Sequence, residues 1–271
     1  MNIKFDFSGK TVIVTGSAGG IGKAIASSFS ESGAKVIIAD YNEKLGKETA
    51  KEISAKTGNH AEFIYVDVTK QSSADALVNE VMDRHKDIDI LVNNAGVSGK
   101  ISGNPLTGTE DSDFDSTYNV NVKGLYHMCK SIYDIFKNKK SGKIVNMASV
   151  AGHSTNLALV HYSVSKAAAI TFTRNLALEL GPSLVNVNCV CPGYVYTDIY
   201  KNAADQFRAK VPAYKDLSGL EICESIAKTN CAMKRLQTGE DIAKAVMFLS
   251  SDEAGNITGE ILDVAGGFKL Y

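Results

Sequence analysis

A tyrosine and a lysine stand four residues apart at Tyr162 and Lys166, a spacing that places both side chains on one face of a helix. A phenol has a pKa of about 10, so by itself it is a poor base at neutral pH. A nearby ammonium group stabilises the phenolate, and we therefore expect Lys166 to lower the pKa of Tyr162 towards neutrality. The pair predicts a general acid/base that exchanges a proton with a substrate oxygen.

The same spacing occurs twice more in the chain, at Tyr126/Lys130 and at Tyr133/Lys137. Such a pair is usually an ordinary contact on a helix surface, so the spacing alone does not identify a site. Ser149 distinguishes Tyr162, because it lies thirteen residues earlier and just past the strand-like run 143–147. Neither of the other tyrosines has a hydroxyl residue at that distance. A serine at the end of a strand, facing the pair on the next helix, is placed to hold a carbonyl or hydroxyl oxygen.

A glycine-rich turn near the N-terminus is the second chemical feature. A buried strand is predicted at 11–14, and Gly16, Gly20 and Gly22 follow it as a helical pattern begins. Such a turn lets backbone N–H groups approach a pyrophosphate, and the positive end of the helix dipole attracts the same group. The next strand, 35–40, ends in Asp40, whose carboxylate would accept the ribose hydroxyls of a dinucleotide. The alternatives are an ordinary strand–helix turn and an N-cap role for Asp40.

Strand and helix patterns alternate along the whole chain. Further strands are predicted at 63–68, 88–92, 143–147, 184–190 and 260–264, and helices at 42–57, 72–86, 118–137, 162–180 and 240–250. A Gly- and Ser-rich loop is predicted at 97–112, and an irregular segment with weak helical pieces at 194–235. This order predicts a single α/β domain over 1–271, a Rossmann fold whose doubly wound parallel sheet of about seven strands carries helices on both faces.

In such sheets ligands bind beyond the carboxyl ends of the strands. The predicted strands bring the informative residues to that edge, namely Gly16, Asp40, Asp67, Asn94, Ser149 and the Pro192-Gly193 corner. We therefore expect a nucleotide and the reacting substrate to share this edge of the sheet.

The composition narrows the class of protein. The chain has 271 residues, a net charge of −1 and 44% hydrophobic residues, which suits a globular enzyme and gives no reason to expect a nucleic-acid or membrane partner. The N-terminal residues show no apolar signal segment, so a cytoplasmic location is expected.

The five cysteines are expected to be free thiols. Cys189 and Cys191 would point to one face of a strand, either as small core residues or as a metal pair. No zinc-type spacing of cysteines or histidines accompanies them, so no metal is expected. This absence disfavours a zinc-dependent alcohol dehydrogenase.

Several motifs together resemble those of the classical short-chain dehydrogenases/reductases, and the similarity covers nearly the whole chain. They are the turn from Thr15 to Gly22, the run Asn93-Asn94-Ala95-Gly96, Asn121 in Asn-Val-Lys-Gly, Met147-Ala148-Ser149, the Tyr162/Lys166 pair, and Pro192-Gly193 with Thr197. The resemblance implies that the catalytic residues are Asn121, Ser149, Tyr162 and Lys166, with Ser149 and Tyr162 also contacting the substrate. It implies cofactor contacts at Gly16, Ser17, Gly20, Ile21, Gly22, Asp40, Asp67, Val68, Asn94, Ala95, Gly96, Tyr162, Lys166, Pro192, Gly193, Val195 and Thr197.

The resemblance also implies a mechanism, in which a hydride moves between C4 of a nicotinamide and a carbinol or carbonyl carbon. In the oxidation direction Tyr162 takes the hydroxyl proton, and Ser149 orients the oxygen by hydrogen bonding. Lys166 binds the nicotinamide ribose, and Asn121 holds a water that relays protons towards solvent. The residues alone leave structural alternatives open for three members, namely a kinked helix at Asn121, a capped turn at Asp67 and a braced sheet edge at Asn94.

NAD is expected in preference to NADP. Asp40 would accept hydrogen bonds from the ribose hydroxyls and repel a 2′-phosphate. Tyr41 and Asn42 follow it instead of a basic residue, and Ser17 stands where NADP-preferring relatives often carry one. Lys44 is close in sequence, but it is expected to be a solvated helix residue.

The substrate is the least determined part of the prediction. The segment 194–235 should cover it, with the aromatic residues Tyr194, Tyr196, Tyr200, Phe207 and Tyr214 and the basic residues Lys201, Arg208, Lys210 and Lys215. Most of these aromatics are expected to pack within the covering segment. Three further residues could hydrogen-bond a polyhydroxylated substrate, although a structural histidine is more common: His153, Asn156 and His161.

A polyol or sugar alcohol is the leading substrate candidate, on a faint resemblance of 194–235 to the substrate loops of NAD-linked polyol dehydrogenases. A hydroxysteroid such as a bile acid is the main alternative, and an acyloin is a further one. A 3-oxoacyl-carrier-protein substrate is less expected, since reductases of that kind usually prefer NADP.

Two further expectations come from the resemblance. Members of the family commonly form homotetramers or dimers through long helices, here 118–137 and 162–180. A protein of this fold could also bind NAD as a regulator without turnover, but such proteins typically lose the tyrosine or the lysine, and this chain keeps both.

Overall fold

The structure, a computed structural model, describes residues 5–100, 107–153, 159–197, 201, 204–205, 208 and 211–268. Its sheet strands are β1 (Thr11–Thr15), β2 (Lys35–Asp40), β3 (Ala61–Tyr65), β4 (Ile90–Asn93), β5 (Gly142–Met147), β6 (Val185–Pro192) and β7 (Ile261–Val264). They form one parallel sheet of seven strands in the order β3-β2-β1-β4-β5-β6-β7. The middle strands are mostly apolar and buried over their whole lengths, as a sheet covered on both faces requires.

The helices whose bounds the structure gives are α1 (Gly20–Glu31), α2 (Glu43–Thr57), α3 (Gln71–His85), α4 (Asp111–Tyr118), α5 (Leu125–Lys139), α6 (Val160–Leu180), α7 (Gly219–Asn230) and α8 (Gly239–Ser250). Helices α1, α2 and α8 bury their apolar residues against one face of the sheet. Helices α3, α5 and α6 pack against the other face. The predicted doubly wound parallel sheet with helices on both faces is confirmed.

Two strands end two or more residues away from their predicted ends. β3 spans Ala61–Tyr65 and not 63–68, so Asp67 lies beyond its end. β6 continues to Pro192 instead of ending at 190, because its last residues still pair with β7. This extension places Cys191 within the sheet and opposite Asp263 of β7.

The helix predicted at 118–137 begins earlier, at Asp111, inside the segment predicted as a loop. A capping box between Glu110 and Asp113 starts it, but its first turns are too polar to show an apolar period. A π-helical turn, Asn119–Gly124, then joins α4 to α5. A second capping box, between Ser218 and Glu221, starts α7 within the segment predicted to be irregular.

β1 and β4 lie side by side, although the chain forms β2 and β3 between them. The strand order reverses at this point, so a crevice opens beyond the carboxyl ends of β1 and β4. The Gly-rich turn after β1 and the loop after β4 form its walls. Among the described residues, the helices are all too short or too polar to cross a membrane.

Candidate active site

A cavity of about 610 Å³ opens over the carboxyl ends of the strands, at the crevice between β1 and β4. Most of the predicted site residues line it: Gly16, Gly20, Ile21, Asp40, Asp67, Val68, Asn94, Ala95, Gly96, Ser149, Tyr162, Lys166, Pro192, Gly193, Val195 and Thr197. The fold therefore gathers residues from the ends of β1 to β6, and from the start of α6, around one space.

Ser17 and Gly22 do not line this cavity. The Ser17 side chain is fully buried, and its hydroxyl donates to the carbonyl oxygen of Val14 at 2.6 Å. A Cβ at Gly22 would collide with the carbonyl oxygen of Gly16, so this glycine allows α1 to pack against the turn. The structure places both residues behind the turn, where they shape it without facing a ligand.

The turn itself depends on glycine at two positions. Gly16 and Gly20 have φ angles of +63° and +56°, in the left-handed region that side chains disfavour. A Cβ on Gly16 would also lie 2.7 Å from the Cα of Ala95. The backbone of the turn therefore passes directly against the loop after β4.

Thr15 and Asn94 hold these two segments together. The side-chain amide of Asn94 donates to the carbonyl oxygens of Thr15 and Gly16, both at 2.9 Å. The Thr15 hydroxyl oxygen accepts the backbone N–H groups of Asn94 at 3.0 Å and of Ala95 at 3.1 Å. Asn94 thus braces the sheet edge, as the structural alternative predicted, and also lines the cavity.

The carboxylate of Asp40 is buried at the end of β2, with the residue 7% exposed. One oxygen accepts the backbone N–H of Ala18 at 2.9 Å, and the other accepts the backbone N–H of Asn42 at 2.9 Å. The N-cap of α2 is Asn42, whose side chain accepts the N–H of Leu45, so the alternative that Asp40 is the cap is wrong. Asp40 instead fixes a negative charge between the glycine turn and the cavity.

Beyond Asp40, the cavity extends over β2 and β3 to residues that were not predicted: Tyr41, Leu45, Tyr65 and Thr69. Their closeness in sequence to Asp40 and Asp67 is the signal that could have identified them. Asp67 accepts the N–H and the hydroxyl of Thr69 and pairs with Lys70 at 2.8 Å. Hydrogen bonds from Lys70 and Thr69 lower the pKa of Asp67, which caps a turn in addition to lining the cavity.

Ser149 and Tyr162 meet at the opposite end of the cavity. Ser149 follows β5 and caps a short 3₁₀ turn, Val150–Gly152, where its hydroxyl oxygen accepts the N–H of Ala151 at 3.2 Å. Tyr162 lies in the first turn of α6 and lines the cavity together with Ser149, whose side chain lowers the pKa of the phenol. The predicted pairing of a strand-end serine with a tyrosine on the next helix is present.

The pKa of Tyr162 is displaced in the direction opposite to the prediction. Tyr162 lines the cavity as a partly buried residue, and burial raises the pKa of its phenol to about 12. The hydrogen bond with Ser149 acts in the other direction without overcoming the burial. The Lys166 ammonium is 5.6 Å from the ring centroid and does not reverse the shift. In the chain by itself, Tyr162 is therefore a protonated phenol at neutral pH.

Lys166 is buried on the same face of α6, and its Nζ donates to the carbonyl oxygen of Met147 at 2.9 Å. Burial lowers the pKa of Lys166 to about 8. A Cβ placed on Gly96 would be 3.4 Å from this Nζ and 3.2 Å from Oδ1 of Asn121. The absence of a side chain at Gly96 thus leaves open a position that is close to both the lysine and the asparagine.

Asn121 lies in the π-helical turn between α4 and α5, a distortion that is frequent at functional sites. Its Oδ1 accepts the N–H of Val97 at 2.9 Å, and its Nδ2 donates to the carbonyl oxygen of Val97 and to the Ser165 hydroxyl, both at 2.9 Å. Ser165 in turn donates to the carbonyl oxygen of Tyr162 at 2.7 Å. The Asn121 side chain is therefore committed to protein partners, and it links the loop after β4 to α6.

The two histidines near the catalytic residues do not line the cavity. His161 is buried, and its Nε2 lies 3.0 Å from the carbonyl oxygen of Ser98. His153 pairs with Asp263 at 3.3 Å. Four other residues named as candidates lie outside the described part of the chain: Asn156, Tyr200, Phe207 and Lys210.

In the segment 194–235, Val195 and Thr197 line the cavity. Tyr194 packs edge-on against Phe268, with ring centroids 5.2 Å apart. Tyr196 and Tyr214 pack against a small cluster formed by Ala204, Ile222 and Cys223. The expectation that most of these aromatics serve in packing agrees with these contacts.

Sequence comparisons place the chain in a family. A family model described as enoyl-(acyl carrier protein) reductase matches residues 16–269. An oxidoreductase from Thermotoga maritima is 38% identical over 97% of this chain and 98% of its own. The 3-oxoacyl-acyl-carrier-protein reductase FabG from Haemophilus influenzae is 35% identical over 97% of this chain and 99% of its own. The chain belongs to the short-chain dehydrogenase/reductase family and is an oxidoreductase of that family.

Solved structures agree with this assignment. A 7α-hydroxysteroid dehydrogenase in complex with NADH and 7-oxo-glycochenodeoxycholic acid is 31% identical, with a TM-score of 0.84, over 99% of this chain and 98% of its own. The family binds a nicotinamide cofactor and small-molecule substrates.

Proposed function

We propose that this protein is an NAD(H)-dependent oxidoreductase that interconverts a secondary alcohol and a ketone. The observation that carries the proposal is the single cavity with a buried carboxylate, Asp40, at one end and the Ser149–Tyr162–Lys166 group at the other. A regulator that binds NAD without turnover would not need the second end. Ser149, Tyr162 and Lys166 line that end, and Asn121 lies behind it, hydrogen-bonded to Ser165 of α6; this arrangement supports an enzyme.

The residues present fit a dinucleotide. A cavity of about 610 Å³ is within the usual range for cofactor sites. The backbone of Gly16–Gly20 and the N-terminus of α1 are suited to a pyrophosphate, because a Cβ is excluded at Gly16 and the helix dipole is positive there. Asp40 would hold the adenine ribose, and Lys166 would hold the nicotinamide ribose. When bound, the nicotinamide supplies or accepts the hydride at the substrate carbon.

The catalytic residues of this chain then handle the proton. The protonated Tyr162 is ready to act as a general acid, donating its proton to the oxygen of a ketone as the alcohol forms. In the oxidation direction Tyr162 must first lose that proton, and the Ser149 hydrogen bond and the charge of Lys166 favour the phenolate. Ser149 also hydrogen-bonds the substrate oxygen and fixes its position. Through its hydrogen bonds to Val97 and Ser165, Asn121 holds the loop after β4 and helix α6 in place around Lys166.

NAD is proposed over NADP because of the charges at the Asp40 end. Among the described residues that line the cavity, Lys166 alone has a cationic side chain. It lies with Ser149 and Tyr162, away from Asp40. A 2′-phosphate would therefore meet a fixed carboxylate without a positive partner on the lining. The buried position of Asp40 strengthens that repulsion relative to an exposed carboxylate.

The Asp40→Asn variant tests this choice. The amide keeps an oxygen for one backbone N–H and removes the charge, whereas Asp40→Ala would also release both hydrogen bonds that hold the turn. We expect the ratio of kcat/KM for NAD⁺ to that for NADP⁺ to fall at least about tenfold, since about 1.4 kcal/mol of repulsion corresponds to that factor. A wild-type protein that already prefers NADP⁺, or an unchanged ratio in the variant, contradicts the proposal.

For the substrate, the apolar side chains on the cavity lining favour a ketone or alcohol on an apolar skeleton. They include Val97, Val120 and Met147. Two of the residues that could have hydrogen-bonded a polyhydroxylated substrate, His153 and His161, contact other partners. A hydroxysteroid therefore becomes the first candidate. A 3-oxoacyl thioester is the second, because the Haemophilus influenzae relative is a 3-oxoacyl-acyl-carrier-protein reductase.

A panel followed at the NADH absorbance decides among them. It contains bile acids, 3-oxoacyl thioesters, acyloins and sugar alcohols, each with NAD(H) and NADP(H). Turnover of a hydroxysteroid with kcat/KM at least about tenfold above the sugar alcohols is the expected result. Turnover of sugar alcohols alone restores the polyol candidate, and tight NADH binding without any turnover supports the regulator.

A homo-oligomer and a cytoplasmic location stay predictions. Two apolar side chains are exposed on α6, Val164 at 51% and Leu178 at 79%, and they support an interface through this helix.

A further inference from the structure

Three side chains from separate elements converge beside the catalytic group. Cys191 of β6 and Asp263 of β7 are register partners in the parallel sheet. His153 follows the 3₁₀ turn after β5 and reaches back to them, with Nε2 3.6 Å from the Cys191 sulfur and 3.3 Å from a carboxylate oxygen of Asp263. The three candidate ligand atoms lie within 4.8 Å of one another.

This donor set has the chemistry of a zinc site. Thiolate, imidazole and carboxylate are the three ligand types that Zn²⁺ takes in proteins, and three protein ligands leave one coordination position open. Cys191 is fully buried, whereas the side chains of His153 and Asp263 are 24% and 38% exposed, so a metal ion can reach the group from solvent. We propose that Cys191, His153 and Asp263 bind Zn²⁺, and that the bound ion inhibits the enzyme.

The inhibition follows from what the ion would hold. Cys191 follows Val190, whose carbonyl oxygen accepts the backbone N–H of Ala148, the neighbour of Ser149, at 2.9 Å. His153 lies four residues after Ser149, at the far end of the same turn. A metal bonded to both ligands ties this turn to β6 and β7. The ion therefore pulls on the turn that begins at Ser149, and we expect it to displace Ser149 from its place beside Tyr162.

The binding step involves no oxidation or reduction. The Cys191 thiol gives its proton to solvent, the sulfur–metal bond forms, and neutral His153 and ionised Asp263 bind through Nε2 and a carboxylate oxygen. Water ligands leave the hydrated ion as these bonds form. Cys189 lies on the same strand face as Cys191, but it is outside the three-residue group.

The chain also contains a control group. His60, Glu62 and His85 bring three further candidate ligand atoms within 4.8 Å of one another at the β3 edge of the sheet, away from the cavity. This group offers only nitrogen and oxygen. Because Arg84 also pairs with Glu62 at 2.7 Å, a cation already competes for its carboxylate. A metal there cannot produce a thiolate signal, so the two groups are distinguishable by spectroscopy.

The first experiment titrates the purified protein with Co²⁺, which takes zinc sites and is coloured. We expect a thiolate-to-cobalt charge-transfer band in the near ultraviolet that Zn²⁺ abolishes. The Cys191→Ser variant should lack this band, and His60→Gln should keep it. If Cys191→Ser does not fold, as judged by circular dichroism, His153→Asn replaces it and should weaken Co²⁺ binding at least about tenfold. A band that survives in the folded Cys191→Ser and His153→Asn variants, or no band at all, overturns the site.

The second experiment measures turnover of wild type, Cys191→Ser and His60→Gln at rising Zn²⁺ concentrations. Each rate is compared with the metal-free rate of the same protein. Wild type and His60→Gln should lose activity together and recover it with a chelator, while Cys191→Ser should need at least about tenfold more Zn²⁺. Equal sensitivity of Cys191→Ser and wild type overturns the inhibition. The cobalt spectrum does not depend on the reaction, so a protein that shows the band but turns over none of the panel supports the metal site and contradicts the proposed function.

Discussion

Helices α5 and α6 carry the same Tyr-x-x-x-Lys spacing in different surroundings. On α5 the ammonium of Lys130 is 5.7 Å from the Tyr126 ring centroid, and that of Lys137 is 5.2 Å from the Tyr133 centroid. The corresponding distance between Lys166 and Tyr162 on α6 is 5.6 Å. Helical geometry thus produces the same pair three times among the described residues. The distance within the pair does not distinguish the catalytic one.

The difference is burial and the presence of a third group. Lys130 and Lys137 are exposed, whereas Lys166 is 5% exposed and donates to the carbonyl of Met147. Ser149 reaches the α6 pair from the end of β5. Burial disfavours the charged form of each group, so it raises the pKa of Tyr162 and lowers that of Lys166. The comparison shows that the helix supplies the spacing, while the sheet and its covering loops set the proton affinities.

The largest expected effect is that of Tyr162→Phe. Removing the hydroxyl removes the proton donor, so we expect kcat to fall by about 10²–10⁴-fold. NADH binding, followed by fluorescence, should be retained. The matched control is Tyr133→Phe on α5, which should keep wild-type turnover. Near-normal turnover in Tyr162→Phe would remove the distinction between the two helices.

Ser149→Ala should have the next largest effect. It deletes a hydrogen-bond donor at the substrate oxygen, a loss that costs about 10²–10³-fold in kcat at comparable sites. The Ser149 bond also lowers the pKa of Tyr162, so its removal should move the pH profile of alcohol oxidation to higher pH. The profile of kcat/KM against pH checks this shift. A profile at unchanged or lower pH would exclude Ser149 as a group that acts on Tyr162.

The smallest expected effect concerns the stability of the cofactor-free protein. The folded pKa of Lys166, about 8, lies below its unfolded value, so the unfolded chain binds more protons between about pH 8 and 10.5. The free energy of unfolding therefore gains a contribution that rises with pH over this window, by about 3 kcal/mol at most. Lys166→Met should remove that rise, and Lys137→Met should keep it.

Urea unfolding of the three proteins at several pH values, from about 7.5 to about 10, measures how the free energy of unfolding changes with pH. The same pH dependence of the free energy of unfolding in wild type and Lys166→Met would mean that burial does not lower the pKa of Lys166. The folded pKa of Tyr162 is about 12, above its unfolded value of 10.0, so its own contribution falls above this pH range.

The cofactor side of the site could be predicted closely because its residues are adjacent in sequence. Gly16, Gly20 and Asp40 come from one strand–turn–helix–strand unit, and local geometry brings them to the cavity. The same unit also shows the limit of motif reading. Ser17 and Gly22 belong to the motif but lie behind the turn, because the direction of a side chain depends on what packs against it.

At the Ser149–Tyr162–Lys166 end of the cavity, the residues could be predicted from the sequence, but their pKa shifts could not. Ser149, Tyr162 and Lys166 were predicted to lie together and all three line the cavity, yet the pKa of Tyr162 is raised and not lowered as predicted. A charge pair is visible in a sequence, while the desolvation that outweighs it depends on atoms from β5, β6 and α6. The start of α4 was hidden for a related reason, because its polar capping box carries no apolar period.

By itself, the amino-acid order determined the alternating strands and helices, the glycine turn and the candidate acid/base, since each depends on residues a few positions apart. Only the tertiary structure decided which Tyr/Lys pair is buried and how burial shifts the pKa values of its two groups. It alone also brought His153, Cys191 and Asp263 together, because these residues are distant in sequence and meet only when β5, β6 and β7 lie side by side.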